Sequence, residues 1–185
     1  MQLETERLIL RPIEESDAPA LFPLINDADV AAGMLTIPHP YPEDAYVPWI
    51  RKSREAMERR EMYEMAIVLK ETGLPVGACT FSNISWVHMN AELGYWLGKE
   101  YWGRGYTTEA VRSMLAFGFE ELGLERTYAC CFTDNAASAR VLEKAGFKYE
   151  GCARHEYRKD DKFMDMLRYG IIRQEYDRDV KGKSA

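Results

Sequence analysis

The sequence predicts an α+β fold: a single mixed, mostly antiparallel central sheet that is flanked by helices. Strand-like segments joined by short turns are typical of antiparallel hairpins. Helix-like segments separate other strands, which predicts at least one βαβ unit. No repeat, low-complexity segment or Gly/Ser/Pro-rich linker divides the 185 residues. We therefore expect one domain over residues 1–180, followed by a polar tail at residues 181–185.

The N-terminal third is predicted to contain one strand and two helices. Residues 7–12 have strand character and end at a proline, which cannot donate to a sheet ladder. Ser16 or Asp17 can cap the helix that follows. Three prolines predict a loop over residues 36–42. The second helix should cover about residues 43–60.

The middle of the chain predicts three strands. Residues 62–70 and 75–83 should pair as a hairpin around a short turn that contains Gly73. Residues 89–97 form the next strand, in which apolar and polar side chains alternate. Because successive side chains of a strand point to opposite faces, the alternation assigns each residue to a face. One face carries Met89, Ala91, Leu93, Tyr95 and Leu97, and the other carries Asn90, Glu92, Gly94 and Trp96.

The C-terminal half is predicted to contain two helices and three strands. Residues 103–122 form the helix with the clearest apolar stripe, and residues 125–132 form a strand. A short helix over residues 135–145 is closed by a glycine. Residues 147–153 and 163–173 are predicted to be the last two strands.

Charge and hydropathy exclude several classes of protein. The formal net charge is -6 and the sequence pI is about 5.2, whereas a non-specific nucleic-acid binder needs a basic surface. No apolar run approaches the roughly 20 residues of a membrane span. The N-terminus does not resemble a secretory signal. We expect a cytoplasmic protein with no nucleic-acid or membrane partner.

Cysteine and histidine usage argues against disulfides and metal sites. The four cysteines contain no C-x-x-C pair, and reduced thiols fit a cytoplasmic chain of this length. The three histidines are scattered, with no H-x-x-x-H spacing, so we expect no metal site. Cys79 and Cys130 are interpreted as small buried residues, because nothing in the sequence supplies a base to activate either thiol.

The turn between the strand at 89–97 and the following helix has the chemistry of an anion site. Free amides and the helix dipole favour an anion at a helix N-terminus. Gly103 and Gly105 let the backbone turn tightly, and Arg104 adds a cation. A dinucleotide fingerprint needs glycine where Thr108 stands, and a P-loop needs Lys after its glycine. A pyrophosphate of another cofactor remains, and the alternative is a plain turn with a helix cap.

Three segments together resemble the GNAT acetyltransferase superfamily, and most closely its ribosomal-protein N-terminal acetyltransferase (RimJ/RimL-type) branch. They occur in the family's order and span nearly the whole chain. One departure is Glu100, where the wider superfamily often has Gln or Arg, so we assign it no phosphate contact. The segments are residues 3–12 (LETERLILRP), residues 91–110 (AELGYWL, then YWGRGYTTEA) and residues 134–147 (DNAASARVLEKAGF).

The resemblance implies acetyl-CoA as the cofactor. It implies that the strands at 89–97 and 125–132 splay apart, and that the coenzyme bonds to backbone in the gap and to amides at residues 103–107. Asn135 is alternatively only an N-cap, and Arg140 and Lys144 are alternatively a solvated charged face. The implied cofactor-binding residues are Tyr95, Trp96, Leu97, Gly103, Arg104, Gly105, Tyr106, Thr107, Asn135, Ser138, Arg140 and Lys144.

The resemblance also implies two catalytic residues. The amine must lose a proton, an oxyanion must be stabilised, and a thiolate must leave. Glu92 is the candidate base, with a half-exposed strand carboxylate that only orients the substrate ammonium as the alternative. Ser138 is the first candidate acid for the thiolate, and Tyr149 is the second. A backbone amide of residues 96–97 is expected to meet the oxyanion.

The acceptor is less constrained than the reaction. The leading hypothesis is an α-amine of a protein or peptide, which needs less help from a base than a lysine because its pKa is about 7.7–8.0 rather than 10.4. A small amine and a non-catalytic acyl-CoA-binding module are the alternatives. Tyr41, Tyr46 and Trp49 line the acceptor site or pack in the core. The resemblance further favours a homodimer.

Overall fold

A computed structural model describes residues 1–181 and contains one mixed sheet. Over that range the sheet has eight strands in the order β1-β2-β3-β4-β5-β6-β8-β7. The β5–β6 pair is parallel and every other pair is antiparallel. The strands are β1 (Leu3–Glu4), β2 (Leu8–Pro12), β3 (Tyr63–Leu69), β4 (Pro75–Ser85), β5 (Asn90–Leu97), β6 (Arg126–Phe132), β7 (Lys148–Lys159) and β8 (Lys162–Ile172).

Helices cover both faces of this sheet, which confirms the predicted fold class. Short 3-10 turns at Glu15–Asp17 and Lys99–Tyr101 precede longer segments, and π-helical turns at Phe117–Glu121 and Tyr176–Val180 end two helical stretches. The α-helices are α1 (Ala18–Ile25), α2 (Ala28–Ala32), α3 (Glu43–Glu58), α4 (Tyr106–Ala116), α5 (Ala136–Ala145) and α6 (Arg173–Glu175).

The alternation predicted for residues 89–97 divides the core into two clusters. Ala91, Leu93 and Leu97 pack under α4 and α5, on what we call the α4 face. Trp96 packs with α1 and α3 on the other side, the α3 face. Burial on both faces explains why β3 is buried along its whole length. The helices therefore fix which β5 side chains meet which layer.

Two local predictions were wrong in detail. The helix expected at 103–122 begins at Tyr106, because Gly103 and Gly105 adopt positive φ angles, and after Ala116 it continues as a π-helical turn. Asp17 is the N-cap of α1, yet its side chain does not bond to that helix. Its carboxylate instead pairs with Arg11 at 2.6 Å.

Strand β7 is longer than predicted and runs to Lys159, whereas β8 (Lys162–Ile172) matches its predicted bounds to within one residue. The two strands form a hairpin. The sequence missed the extension of β7 because residues 154–162 are mostly charged and lack an alternating pattern. The first residue of the predicted tail, Lys181, bonds through its amide to the Tyr176 carbonyl. The rest of that tail, residues 182–185, lies outside the described residues. No helix within residues 1–181 is long and apolar enough to span a membrane.

Candidate active site

The site begins where β5 and β6 separate. The two strands pair in parallel only from Asn90 to Glu92 on β5, although β5 continues to Leu97 and β6 to Phe132. Beyond Glu92 the β6-facing edge of β5 has no strand partner. Unpaired backbone groups at such an edge can accept an added extended chain.

A cavity of about 490 Å³ opens at this gap. It is bounded by β5, by the turn before α4, by the start of α5 and by α2. Seven of the predicted cofactor-binding residues line it, together with ten that were not predicted. The predicted ones are Tyr95, Trp96, Leu97, Gly103, Thr107, Asn135 and Ser138, and the others are Asp29, Val30, Ala32, Gly33, Met34, Trp102, Phe132, Asp134, Ala137 and Val141.

The turn before α4 has the backbone geometry of an anion cradle. Gly103 and Gly105 have φ angles of +74° and +81°, which side chains other than glycine rarely adopt. The first intrahelical bond runs from the Glu109 amide to the Gly105 carbonyl at 3.1 Å. The amides before Glu109 therefore have no acceptor within the helix and carry the positive end of its dipole.

The start of α5 contributes a side-chain cluster. Asn135 Oδ1 accepts the Ser138 amide at 3.0 Å, so the N-cap role is present, and Asn135 also lines the cavity. The Ser138 and Tyr95 hydroxyl oxygens lie 2.9 Å apart, and the Tyr95 hydroxyl also donates to the Ser138 carbonyl at 3.1 Å. Burial raises the pKa of the Tyr95 phenol, so this pair stays protonated and can donate toward the cavity.

Trp102 and helix α2 are among the contributors to the cavity that were missed from the sequence. Trp102 lines it and donates its indole N–H to the Leu97 carbonyl at 2.7 Å. Helix α2 forms another wall, and its N-cap Asp27 accepts the amides of Asp29 and Val30. An N-cap aspartate before an alanine-rich segment was the one available signal, but a five-residue helix is too short for its periodicity to be recognised.

Glu92 lies on the α3 face of β5, outside the cavity wall. Its carboxylate accepts Asn83 Nδ2 at 2.7 Å and the Cys130 thiol at 3.4 Å. Burial, and then the Glu92 charge, raise the pKa of Cys130 to about 12. Cys130 is half-buried rather than buried, and its thiol is protonated at neutral pH, which argues against a nucleophile.

Glu92 and Ser138 therefore lie on opposite faces of β5. Because successive side chains of a strand point to opposite faces, Glu92 and Tyr95 point to different faces. Ser138 contacts Tyr95 on the α4 face. The gap beside residues 94–97 connects the two faces. A thioester in this gap would meet a carboxylate on one side and a hydroxyl pair on the other, so the residues present fit acetyl-CoA.

Other predicted residues lie outside the cavity. The Arg104 guanidinium lies 5.9 Å from the Tyr101 ring centroid, and Arg140 and Lys144 are exposed on α5. Tyr149, the second candidate acid, is 56% exposed and packs edge-on against Tyr169.

The aromatic residues of α3 pack in the core more than they line a cleft. Tyr46 is buried, and its ring stacks on Trp49 with centroids 5.6 Å apart. Tyr41 meets Tyr46 edge-on at 5.8 Å. Within residues 1–181, no group of three or more His, Cys, Asp and Glu side chains could hold a metal ion.

Comparisons with known proteins agree with this geometry. A spermidine N(1)-acetyltransferase of Escherichia coli strain K12 is 26% identical over 171 residues, covering 90% of this chain and 87% of that protein. The structure of RimL, a ribosomal L7/L12 alpha-N-protein acetyltransferase in complex with coenzyme A, superposes with a TM-score of 0.85 at 21% identity. That match covers 93% of this chain and 98% of RimL and shows the shared fold.

Family membership follows from two further matches. An uncharacterised N-acetyltransferase of Bacillus licheniformis, p20, is 30% identical over 174 residues, covering 94% of this chain and 97% of p20. The family model described as "Acetyltransferase (GNAT) domain" matches residues 7–148, more than half of the chain. The chain therefore belongs to the GNAT family of acetyl-CoA-dependent N-acetyltransferases.

Proposed function

We propose that the acceptor of this acetyltransferase is the N-terminal α-amine of a protein or peptide, which attacks directly in a ternary complex. The observation that supports direct attack is the gap between β5 and β6, which connects Glu92 on one face of the sheet with Ser138 and Tyr95 on the other. The choice of an α-amine rests on its lower pKa, which demands less of the base. Direct attack needs both faces at once, because the amine is deprotonated on one side and the thiolate is protonated on the other.

Acetyl-CoA supplies the activated acetyl thioester, and the residues of this chain hold it and move protons. The backbone of residues 95–97 would bind the pantetheine arm, and the amides before Glu109 would bind the pyrophosphate, beside Arg104. We infer that Glu92 accepts a proton from the amine. Ser138, hydrogen-bonded to Tyr95, would donate a proton to the leaving thiolate. Arg140 and Lys144 remain candidates for the nucleotide phosphates.

A small amine is the second candidate acceptor, because one relative is a spermidine N(1)-acetyltransferase. Free-thiol release from acetyl-CoA, measured against a panel of peptides with free N-termini and a panel of small amines, separates the two. Release with peptides alone supports the proposal, whereas release with small amines alone replaces it. Coenzyme binding without release on either panel would favour a non-catalytic binding module.

The Glu92 role has its own test. Glu92→Gln keeps the size of the side chain but removes its ability to accept a proton. We expect kcat to fall about 100-fold, with coenzyme affinity changed less than about twofold, since Glu92 lies outside the cavity. Glu71→Gln in the exposed β3–β4 turn is the control. Unchanged turnover of Glu92→Gln across pH would show that Glu92 is not the base.

Three further parts of the proposal concern the location, domain organisation and oligomeric state of the enzyme. A cytoplasmic location is supported by four cysteines that are all unpaired, as expected in a reducing compartment. A single domain over residues 1–180 is supported by the continuous sheet. The homodimer suggested by family resemblance is tested by light scattering, for which a monomer mass of 21.3 kDa would contradict it.

A further inference from the structure

Glu64 is a buried carboxyl that the proposed mechanism does not use. It lies on β3, its residue is 3% exposed, and the Thr80 hydroxyl donates a hydrogen bond to its Oε2. No Lys, Arg or His among residues 1–181 lies within ion-pair distance of it. Burial raises the pKa of Glu64 to about 7, and the Thr80 hydrogen bond lowers it. A carboxyl in such surroundings exchanges protons close to neutral pH.

The sheet register connects Glu64 to the open side of the site. Glu64 pairs with Thr80 on β4, and Thr80 pairs with Gly94 on β5, so these three residues form a row across the α3 face. Glu92 is two residues before Gly94 and points to the same face. Thr80 lies beside Gly94 on β4 and Glu92 lies two residues along β5, so Thr80 and Glu92 are diagonal neighbours, about 7–8 Å apart, and both adjoin Gly94.

The space above Gly94 is open. A Cβ built there would meet no heavy atom within 4 Å. Thr80, Glu92 and Gly94 are all partly exposed, whereas Glu64 is buried behind Thr80. An amine above Gly94 would thus lie beside both the Thr80 hydroxyl and the Glu92 carboxylate.

The titratable groups around Glu64 come from α3, β4 and the segment before α1. Tyr46 of α3 and Cys79 of β4 both interact electrostatically with Glu64, and Asp17 interacts with Tyr46. Asp17 is paired with Arg11, and the Tyr46 hydroxyl is buried with no hydrogen-bond partner. Burial raises the pKa of both Tyr46 and Cys79. Of Tyr46, Cys79 and Glu64, it is Glu64 whose pKa lies near neutral.

Proton balance requires that two protons leave the amine nitrogen. A substrate that binds as R–NH3+ becomes R–NH–CO–CH3, so its nitrogen loses two protons while the C–N bond forms and the C–S bond breaks. One proton is lost before attack and one after it. Ser138 gives one proton to the thiolate and regains one from solvent, while the acceptors release two to solvent, so one proton is released overall. Glu92 can hold one of the two amine protons at a time, so a second acceptor beside the amine lets both protons leave without an intervening release from Glu92 to solvent.

We propose that Glu64 is that second proton acceptor and acts through the Thr80 hydroxyl as a positioning residue of the acceptor site. The amine N–H proton passes to Thr80 Oγ while the Thr80 hydroxyl proton passes to Glu64 Oε2. Thr80 is thereby restored, and Glu64 is left neutral until it releases the proton to solvent. The inference rests on the proposed direct attack by an amine and adds the residue pair that receives its second proton.

Kinetics of four proteins test the proposal: wild type, Glu64→Gln, Thr80→Val and Thr80→Ser. The measurement is kcat against pH with saturating acceptor and acetyl-CoA. In wild type we expect kcat to fall below about pH 7. Glu64→Gln and Thr80→Val should lose about 100-fold in kcat and lose this acidic limb. Thr80→Ser keeps the hydroxyl and should stay within about threefold of wild type.

A second readout needs no turnover. In coenzyme-free protein labelled with carboxyl-13C glutamate, the Glu64 resonance is assigned by its loss in Glu64→Gln, and its titration is followed by NMR. Because the Thr80 hydrogen bond stabilises the carboxylate, Thr80→Val should raise the titration midpoint and Thr80→Ser should restore it. If Glu64→Gln does not fold, the two Thr80 variants carry the kinetic test. Coenzyme affinity should be the same in all folded variants.

The outcomes separate this inference from the proposed function. If wild type releases no thiol with any amine, the proposed function fails and the inference fails with it. If wild type turns over and the acidic limb persists in Glu64→Gln or Thr80→Val, Glu64 is only structural and the inference alone is overturned. Loss of the limb in Glu64→Gln and Thr80→Val, with rescue by Thr80→Ser, supports it.

Discussion

At the scale of single residues, Glu64 and Glu92 lie on the same face of the sheet but differ in exposure and in hydrogen-bond partners. Glu92 is half-exposed and accepts hydrogen bonds from Asn83 and Cys130. Glu64 is buried and accepts one from Thr80. Burial penalises the charged form of Glu64, so the pKa difference between folded and unfolded chain makes its contribution to stability depend on pH.

We expect Glu64→Gln to stabilise the protein at high pH. The Glu64 pKa is raised from 4.5 to about 7 in the folded chain, so the folded state holds a proton that the unfolded state has released. Stability therefore falls as pH rises from about 4.5 to about 7 and is constant above that window. The difference between these two pKa values corresponds to roughly 3 kcal/mol, which the glutamine variant should regain at pH 8.

Chemical denaturation of wild type and Glu64→Gln at pH 4 and pH 8 measures this effect. At pH 4 both chains carry a neutral side chain at position 64 in folded protein, and the difference in unfolding free energy should be small. The exposed Glu71→Gln variant should show no such pH dependence. Equal stability of wild type and Glu64→Gln at pH 8 would mean that Glu64 is solvated in the folded state.

At the scale of single elements, the turn before α4 depends on glycine backbone geometry. We expect Gly105→Ala to weaken coenzyme affinity about tenfold, because a side chain at φ +81° is strained by roughly 1–2 kcal/mol and relief of the strain would move the helix amides. Gly73→Ala is a matched control, since Gly73 has φ +68° in the β3–β4 turn and open space around it.

Both variants should lose similar stability in thermal denaturation, but only Gly105→Ala should weaken binding of coenzyme A measured by calorimetry. Equal affinity in the two variants would show that the backbone at Gly105 does not shape the phosphate site.

A second contact fixes the same turn from outside. Arg7 donates to the Arg104 carbonyl at 2.9 Å and pairs with Glu109 at 2.6 Å. Removing a charge-assisted hydrogen bond of this kind costs about 1.5 kcal/mol. We expect Arg7→Met to raise the KM for acetyl-CoA about tenfold with little change in kcat.

Arg51→Met is the control for this prediction, because Arg51 of α3 forms a comparable exposed ion pair with Glu15. Neither residue lines the cavity. Steady-state kinetics at varied acetyl-CoA give both constants. A fall in kcat with unchanged KM in Arg7→Met would contradict a role in shaping the coenzyme site.

At the scale of the whole molecule, a C-terminal hairpin contacts the N-terminal helix that lines the cavity. Lys159, at the tip of β7–β8, donates to the carbonyl of Ala31 at 2.6 Å, to that of Ala32 at 3.4 Å and to that of Met34. These carbonyls end α2, where a cation is favourable. Lys159 therefore connects segments that lie more than 120 residues apart in sequence.

We expect Lys159→Met to loosen α2 without unfolding the sheet. Amide hydrogen exchange at residues 30–34 should accelerate about tenfold, since loss of these charge-assisted bonds costs about 1–2 kcal/mol, and coenzyme should dissociate faster. Lys162→Met, on the same exposed hairpin, should leave both rates unchanged. Exchange that stays slow at α2 in Lys159→Met would show that the helix is held by its core contacts alone.

The sequence alone was sufficient for features that depend on local pattern. Alternation of residues 89–97 set the two faces of β5 and hence the side on which Glu92 lies. The glycines at 103 and 105 predicted the turn before α4, and Asn135 predicted the start of α5. The family resemblance supplied the splayed strands and the coenzyme. The faces of β5, the turn and the start of α5 could be predicted from local pattern, because periodicity and backbone preference act within a few residues.

Tertiary structure decided what depends on contacts between distant segments. The Tyr95–Ser138 hydrogen bond, the wall formed by α2 and the burial of Glu64 beneath α3 all join elements far apart in sequence. No periodicity in β3 distinguishes Glu64 from an exposed strand carboxyl, because burial is set by what packs over a residue. The sequence by itself therefore determined the strands and the turn of the site, and packing determined which side chains meet there.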